Sequence, residues 1–305
     1  MAAGEPLIRH AIESSEAFVL RAVTVVHARV QRVATFRTLI SMAVAIAGVL
    51  APVIHLSALP GTVVGVIWAF VYASLLQRYV DRKLQMAAVL QEMFYVQQFR
   101  MPWNAVVAGD PLRAEDVRQL VRQYRGSEQS LRDWYEMPNL SYPFNVLVKE
   151  YQNLSWGQRI RRRYAYLAVF LTASWVSLGV ILGAVGSFTL VDLVLRWFVP
   201  SLGLLMLGFE TCREQFSIAA ERNRLCQLVY SSCEAVIGGR SLGSTERLLV
   251  FARQVEDVLF LTRKKAPRVP RWFYERYYEV DREDFEEGMR QFKRLMESSP
   301  PPVSS

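Results

Sequence analysis

Two short clusters in the middle of the chain combine aromatic planes with groups that bind anions. One is Met101-Pro102-Trp103-Asn104. The other is Leu131-Arg132-Asp133-Trp134-Tyr135, with Trp156 and the run Arg159–Arg163 further on. A tryptophan or tyrosine face stacks a nucleobase, and an arginine beside it holds a phosphate through paired N–H donors. On residue type alone, Trp103, Asn104, Arg132, Trp134, Tyr135, Arg159 and Arg163 are the candidate ligand-binding residues. The competing reading is plainer: tryptophans beside prolines anchor packing, and arginines beside an apolar run set membrane topology. Arg271-Trp272-Phe273-Tyr274 is open in the same way, between interfacial anchor, subunit seam and ligand contact. Asp192 and Arg196 form a second polar feature. Four residues apart on a helix, they share a face and reach each other as an ion pair. A charge in an apolar run is costly unless paired, wet or near the interface. With Pro200 below them, the two are either an anchor at the outer surface or part of a pore or oligomer interface.

Enzyme chemistry finds no foothold. The sequence has no GxxxxGK[ST] loop, no glycine-rich dinucleotide fingerprint, no HExxH and no CxxC. His10, His27 and His55 are scattered, without companions at metal-ligand spacing. No catalytic residue and no metal site is therefore expected. Cys212, Cys226 and Cys233 are spaced by 14 and 7, which is one stripe of a continuous helix and reads as a small apolar face in a reducing compartment.

The elements that carry these residues follow from the charge pattern. Residues 38–77 are forty consecutive positions without a formal charge, and residues 164–209 contain only Asp192 and Arg196. A hydrocarbon core of ~30 Å needs about 20 apolar residues at ~1.5 Å each, so each run is long enough for two crossings. The mean hydropathy of +0.14 conceals this because charged segments dilute the runs. The net charge of +8 suggests a nucleic-acid partner until the cations are located. Arg29, Arg32 and Arg37 precede the first span, and Arg78, Arg82 and Lys83 follow the second. The run Arg159–Arg163 precedes the third, and Arg213, Arg222 and Arg224 follow the fourth. The intervening turns carry no Lys or Arg. This asymmetry predicts cytoplasmic termini and a cytoplasmic central segment, with the lipid bilayer as partner and no DNA or RNA.

The fold class expected is an all-α membrane protein, with four transmembrane helices as two hairpins and a helical cytoplasmic layer. The division is a cytoplasmic amphipathic stalk (1–37), hairpin 1 (38–80), a central cytoplasmic segment (81–163), hairpin 2 (164–209), a C-terminal cytoplasmic region (210–297) and a disordered Pro/Ser-rich tail (298–305). The spans are expected at Thr38–Leu59, Thr62–Val80, Tyr164–Val185 and Leu190–Phe209, with Pro60-Gly61 marking the first turn. Ile12, Val19, Val26 and Val33 recur every seven residues, a narrow stripe that suits packing on a partner helix and a homo-oligomer. Beyond the fourth span the helix is expected to run to Ile237, break at Gly238-Gly239, and resume at Thr245–Arg263 with Ser244 as N-cap. A last helix is expected at Asp281–Met296, after the aromatic-basic stretch.

The order of these clusters resembles a known group. Ala87–Phe94 leads into Met101-Pro102-Trp103-Asn104, then Gly109-Asp110-Pro111, then Leu131–Tyr135, then Tyr151-Gln152-Asn153 and Trp156 ahead of Arg159–Tyr164. It is similar to the SMODS-associated four-transmembrane effector family of bacterial cyclic-nucleotide-based anti-phage defence. The resemblance implies a membrane effector that is activated by a cyclic nucleotide made by a neighbouring nucleotidyltransferase or cyclase. Such an effector permeabilises the inner membrane and arrests the infected cell. It does not identify ligand-binding residues. The alternatives left by the residues themselves are an ion channel or small transporter, and a membrane scaffold that recruits a cytoplasmic partner.

Overall fold

Apolar side chains separate the molecule into two halves. In one they point outward: Leu39, Ile46, Leu59, Ile67, Phe70, Phe170, Ile181 and Leu190 are all exposed. In the other they point inward, with Leu20, Leu90, Phe94, Phe99, Leu147, Leu154 and Leu259 in one core. Lipid tolerates the first arrangement and water requires the second. The computed structural model describes residues 5–51, 57–127, 131, 140, 142–237 and 245–297. Pro52, His55, Arg132, Trp134, Tyr135, Pro138, the Gly238-Gly239 break, the Ser244 cap and the tail 298–305 lie outside the described residues.

Every regular element among the described residues is helical. The protein is an all-α membrane protein. α1 (Glu5–Leu50) is about 70 Å long, more than twice a bilayer core, so it crosses the membrane half and continues through the polar half. α2 (Ala58–Val71) passes through a π-turn at Tyr72–Leu76 into α3 (Gln77–Phe99). Two short helices, α4 (Ala105–Ala108) and α5 (Ala114–Val121), follow. α6 (Phe144–Val185) again joins both halves. Then come α7 (Leu190–Leu193), a π-turn at Val194–Phe198, α8 (Leu202–Ile237), α9 (Thr245–Arg263) and α10 (Arg271–Glu297). α6 packs along α8, and α1 packs on α3, α2, α5 and α8. Among the described residues three helices are long and apolar enough to cross a bilayer, and the bent pair Leu190–Phe198 with Leu202–Val236 makes a fourth when counted as one broken span.

Four features differ from the sequence expectation. The break in the first apolar run lies before Ala58, because Ser57 caps α2 and Pro60 falls in its first turn, where no backbone donor is needed. The fourth span is not a single helix: its two parts are bent by 74° at Val199–Ser201. Pro200 is the cause, since proline removes a backbone donor and its ring collides with the preceding turn. The aromatic-basic stretch is the start of α10, which begins at Arg271. The Pro270 carbonyl accepts from the amides of Phe273 and Tyr274 at 3.1 and 3.0 Å, so this proline starts the helix. The valine stripe of α1 finds its partner within the chain. Val19, Val23 and Val26 belong to the core shared with α3, α5, α6, α8 and α9, and Val30 packs with Val80 and Leu84.

The broken span is seated through backbone contact. A Cβ on Gly48 would lie 2.3 Å from Pro200, and one on Gly65 would lie 2.7 Å from both the Pro200 Cα and the Val199 oxygen. Thr62 donates to the Leu195 carbonyl at 2.9 Å, and Trp175 donates to Ser201 at 3.0 Å. At the membrane end of the polar half, Arg37 donates to Gln77 at 2.6 Å and lies over the Tyr72 ring, while Tyr72 hydrogen-bonds Glu210. This buried arginine ties α1 to α3 and α8.

Candidate functional site: an arginine-lined cavity

A cavity of about 1800 Å³ opens in the polar half among α1, α3, α6, α8, α9, the linker before α10 and the start of α10, and reaches Leu171 and Leu205 in the membrane half. It exceeds the ~300–1,000 Å³ of a drug-sized ligand pocket. Arg161 on α6, Arg222 on α8, Arg263 on α9 and Arg268 on the linker bring cations to it. Arg32 and Arg37 of α1, Lys149 of α6, Lys265 of the linker and Arg271 of α10 also stand on its wall, beside the carboxylates Glu210, Glu214, Glu275 and Glu279. Gly157 makes room for one of these cations. A Cβ there would lie 2.1 Å from Arg222 Nη1, so only glycine lets that guanidinium lie across α6.

These cations have different partners. Arg263 is buried and ion-paired with Glu256, lies 3.8 Å from Glu92, and covers the Tyr95 ring at 4.6 Å. Burial opposes its charge, but Glu256 and the surrounding groups outweigh this and hold its pKa above the ordinary arginine range. Arg161 and Arg222 meet only neutral acceptors among the described residues. Arg161 donates to Gln215 at 2.7 Å and to the Pro267 carbonyl at 3.4 Å; Arg222 donates to the Asn153 carbonyl at 3.3 Å. Burial, then the neighbouring Arg268, pushes Arg161 down to about 10. Burial, then Arg161 and Arg263, puts Arg222 well below its ordinary range. Burial and Arg268 also keep His27 on the α1 wall neutral. An anion among these groups would relieve their mutual repulsion and supply the charged acceptor they lack.

Aromatic surface stands next to this charge. Trp156, one and a half turns before Arg161, stacks on Tyr274 of α10 with ring centroids 6.0 Å apart and planes at 27°, and Tyr278 lies at 5.3 Å. Asn153 donates to the Tyr95 hydroxyl at 3.2 Å, joining Arg222 to the Tyr95–Arg263 pair. The site therefore offers aromatic planes, amides and two guanidiniums whose hydrogen-bond acceptors are neutral, the requirements of a nucleotide.

Behind the cavity wall lies a carboxylate network. Glu92, Glu150 and Glu256 are fully buried, with Arg253 paired to Glu92 and to Asp257 at 2.6 Å. Burial, then Glu256, pushes Glu92 up to about 7 and Glu150 well above the carboxylate range.

The residues singled out from sequence fall in several places. Trp103 donates to the Gly109 carbonyl at 2.8 Å and packs beside Ala108 and Phe260. Asn104 caps α4 and donates to Asp257 at 2.9 Å. Arg163 is 2.8 Å from Asp281 and lies over Tyr277 at 4.7 Å. Arg159 is on α6 near Tyr151 and Cys226. None of these four lines the cavity. Asp192 and Arg196 pair at 3.0 Å on the bent element, both half-exposed, with Pro200 in the Gly48–Gly65 notch. Residue type did not single out Arg222, Arg268, Asn153 or Gln215. The one local signal was Gly157, a glycine in a long helix beside Trp156.

Residues 10–292 match the family model described as the SMODS-associating 4TM effector domain. The protein named "Probable CBASS effector molecule IK1_05631", from Bacillus cereus (strain VD146), is 24% identical over 216 residues, which is 70% of each chain. No solved structure matches the chain.

Proposed function

The chain belongs to the SMODS-associating 4TM effector family, and from that premise we propose that it is a signal-gated effector that permeabilises the bacterial inner membrane. A cyclic nucleotide, made by a partner nucleotidyltransferase or cyclase on phage infection, enters the arginine-lined cavity and shifts the helices around it to an open arrangement. The protein binds this ligand as a signal and transforms nothing. Charge asymmetry along the sequence supports cytoplasmic termini, so the cavity meets the cytoplasm, where the signal is made. The broken fourth span carrying Asp192, Arg196 and Pro200 is the element that yields, because its hydrogen bonds are interrupted at the bend. Copies associate through their lipid-facing helices into a homo-oligomer around the breach.

The observation that carries this reading is that Arg161 and Arg222 face a large cavity while bonding, among the described residues, only to neutral acceptors. A ligand that binds the open state more tightly shifts the equilibrium by that difference in affinity. The test is thermal unfolding of the purified protein against a panel of cyclic mono- and oligonucleotides. One panel member should raise the midpoint in the wild type but not in R222M. Equal shifts in both proteins would contradict the assignment of the cavity as the receptor.

A further inference from the structure

Among the described residues α10 packs mainly on α6, and the fastening is aromatic and ionic. Phe273 meets Tyr164 edge-on at 5.3 Å, Tyr274 and Tyr278 cover Trp156, and Tyr277 lies beneath Arg163. The ion pair that joins the two helices is Arg163–Asp281, with Asp281 buried and Arg163 about one-third exposed. The linker ahead of α10 is held by side-chain donors on its carbonyls. Arg161 and Gln215 both reach the Pro267 oxygen at 3.4 Å, and Gln31 donates to the Arg268 oxygen. Bonds of 3.4 Å to a neutral carbonyl are weak, whereas a phosphate oxygen is a charged acceptor about twice as strong for the same guanidinium.

We propose that residues 264–281 form an autoinhibitory strap that occupies the nucleotide's own subsites: Tyr274 stands where the base stacks on Trp156, and the Pro267 carbonyl stands where a phosphate meets Arg161. The inference deepens the nucleotide-gating reading and rests on it. Ligand and strap exclude each other at two points. The base needs the Trp156 face that Tyr274 covers, and the phosphate takes the donor that holds Pro267. Displacing both leaves the linker held by Gln215 and Gln31, and α10 held by Phe273 on Tyr164, Tyr277 under Arg163 and the Arg163–Asp281 pair. Trp156 and Arg161 share α6 with Arg163, so one helix senses the ligand and releases the strap. The same α6 continues into the membrane half, which carries the change to the spans.

The strap lowers the observed affinity in proportion to the fraction of molecules it keeps closed. Weakening it should therefore tighten binding, which is the opposite of removing an ordinary ligand contact. The experiment measures equilibrium binding of the cyclic nucleotide panel to full-length wild type, Y274A, D281N and W156A in detergent. Hydrogen exchange over residues 271–281 is followed alongside. D281N leaves Arg163 partly in water, so the fold survives the change. The expected result is about tenfold tighter binding by Y274A and D281N, loss of binding by W156A, and faster exchange of 271–281 when ligand is added. Binding by D281N alone, with the wild type silent, also supports the strap. Wild-type binding that Y274A and D281N leave unchanged or weaken overturns the strap while nucleotide gating stands. No binding by any of the four proteins overturns the gating reading itself.

Discussion

Replacing Arg161 by methionine should make the ligand-free protein more stable, which is unusual for a buried side chain with two hydrogen bonds. Burial and Arg268 bring this guanidinium from the ordinary arginine range down to about 10. At ~1.4 kcal/mol per pH unit, that is a burial penalty of roughly 3 kcal/mol. Methionine has similar length and carries no charge. It leaves Gln215 without one donor, a loss of about 1–2 kcal/mol, although Gln215 keeps its own bond to Pro267. The net expectation is a gain of about 1–2 kcal/mol, or a midpoint a few degrees higher. R263M is the counterpart. It strands the buried Glu256 without its cation, while Glu92 keeps Arg253, and should lose about 3–5 kcal/mol. Thermal unfolding in detergent, followed by tryptophan fluorescence, distinguishes the two. A fall for R161M comparable to that for R263M would refute the claim that Arg161 is held unneutralised for a ligand.

Two further outcomes follow from packing and protonation. G65A forces a methyl group against the backbone of Pro200 and Val199, so it should destabilise by about 1–3 kcal/mol. G183A meets only the end of the Leu193 side chain and should cost less; equal midpoints for the two variants would count against backbone seating of the broken span. Glu150 and Glu92 keep their protons in the folded state above the ordinary 4.5. The folded protein therefore binds more protons than the unfolded chain, and stability falls as pH rises from about 4.5 through the raised values, about 7 for Glu92. E150Q is neutral throughout, so it should flatten this slope and gain most over the wild type at pH 8. Parallel midpoint curves from pH 5 to 8 would contradict that assignment.

The membrane half was legible because absence of charge over forty residues is a property of sequence alone. The bend at Pro200 was not, because an apolar run with a proline reads the same whether the helix kinks or breaks. What decides is the notch that Gly48 and Gly65 provide from other helices. The valine stripe of α1 named an interface but not its owner, and the chain supplies its own partner in α3 and α5. For the site, sequence offered arginines and aromatics but not which of them face the cavity. Arg161 sits in a run of arginines whose neighbours point elsewhere at ~100° per residue. Arg163, two positions on, turns to Asp281, while Arg161 turns into the cavity. Arg222 and Arg268 join it from α8 and the linker, a meeting that only tertiary packing brings about. Trp103 and Asn104, which offered the same chemistry on paper, are held by Gly109 and Asp257.

The measurement that bears most directly on the account is ion and dye leakage from liposomes containing the full-length protein, with each cyclic nucleotide of the panel added in turn. The account predicts leakage from the wild type with one ligand class, none without ligand, and none from R161M or R222M at the same protein density. Leakage that is independent of nucleotide, or equal in the arginine variants, would contradict it.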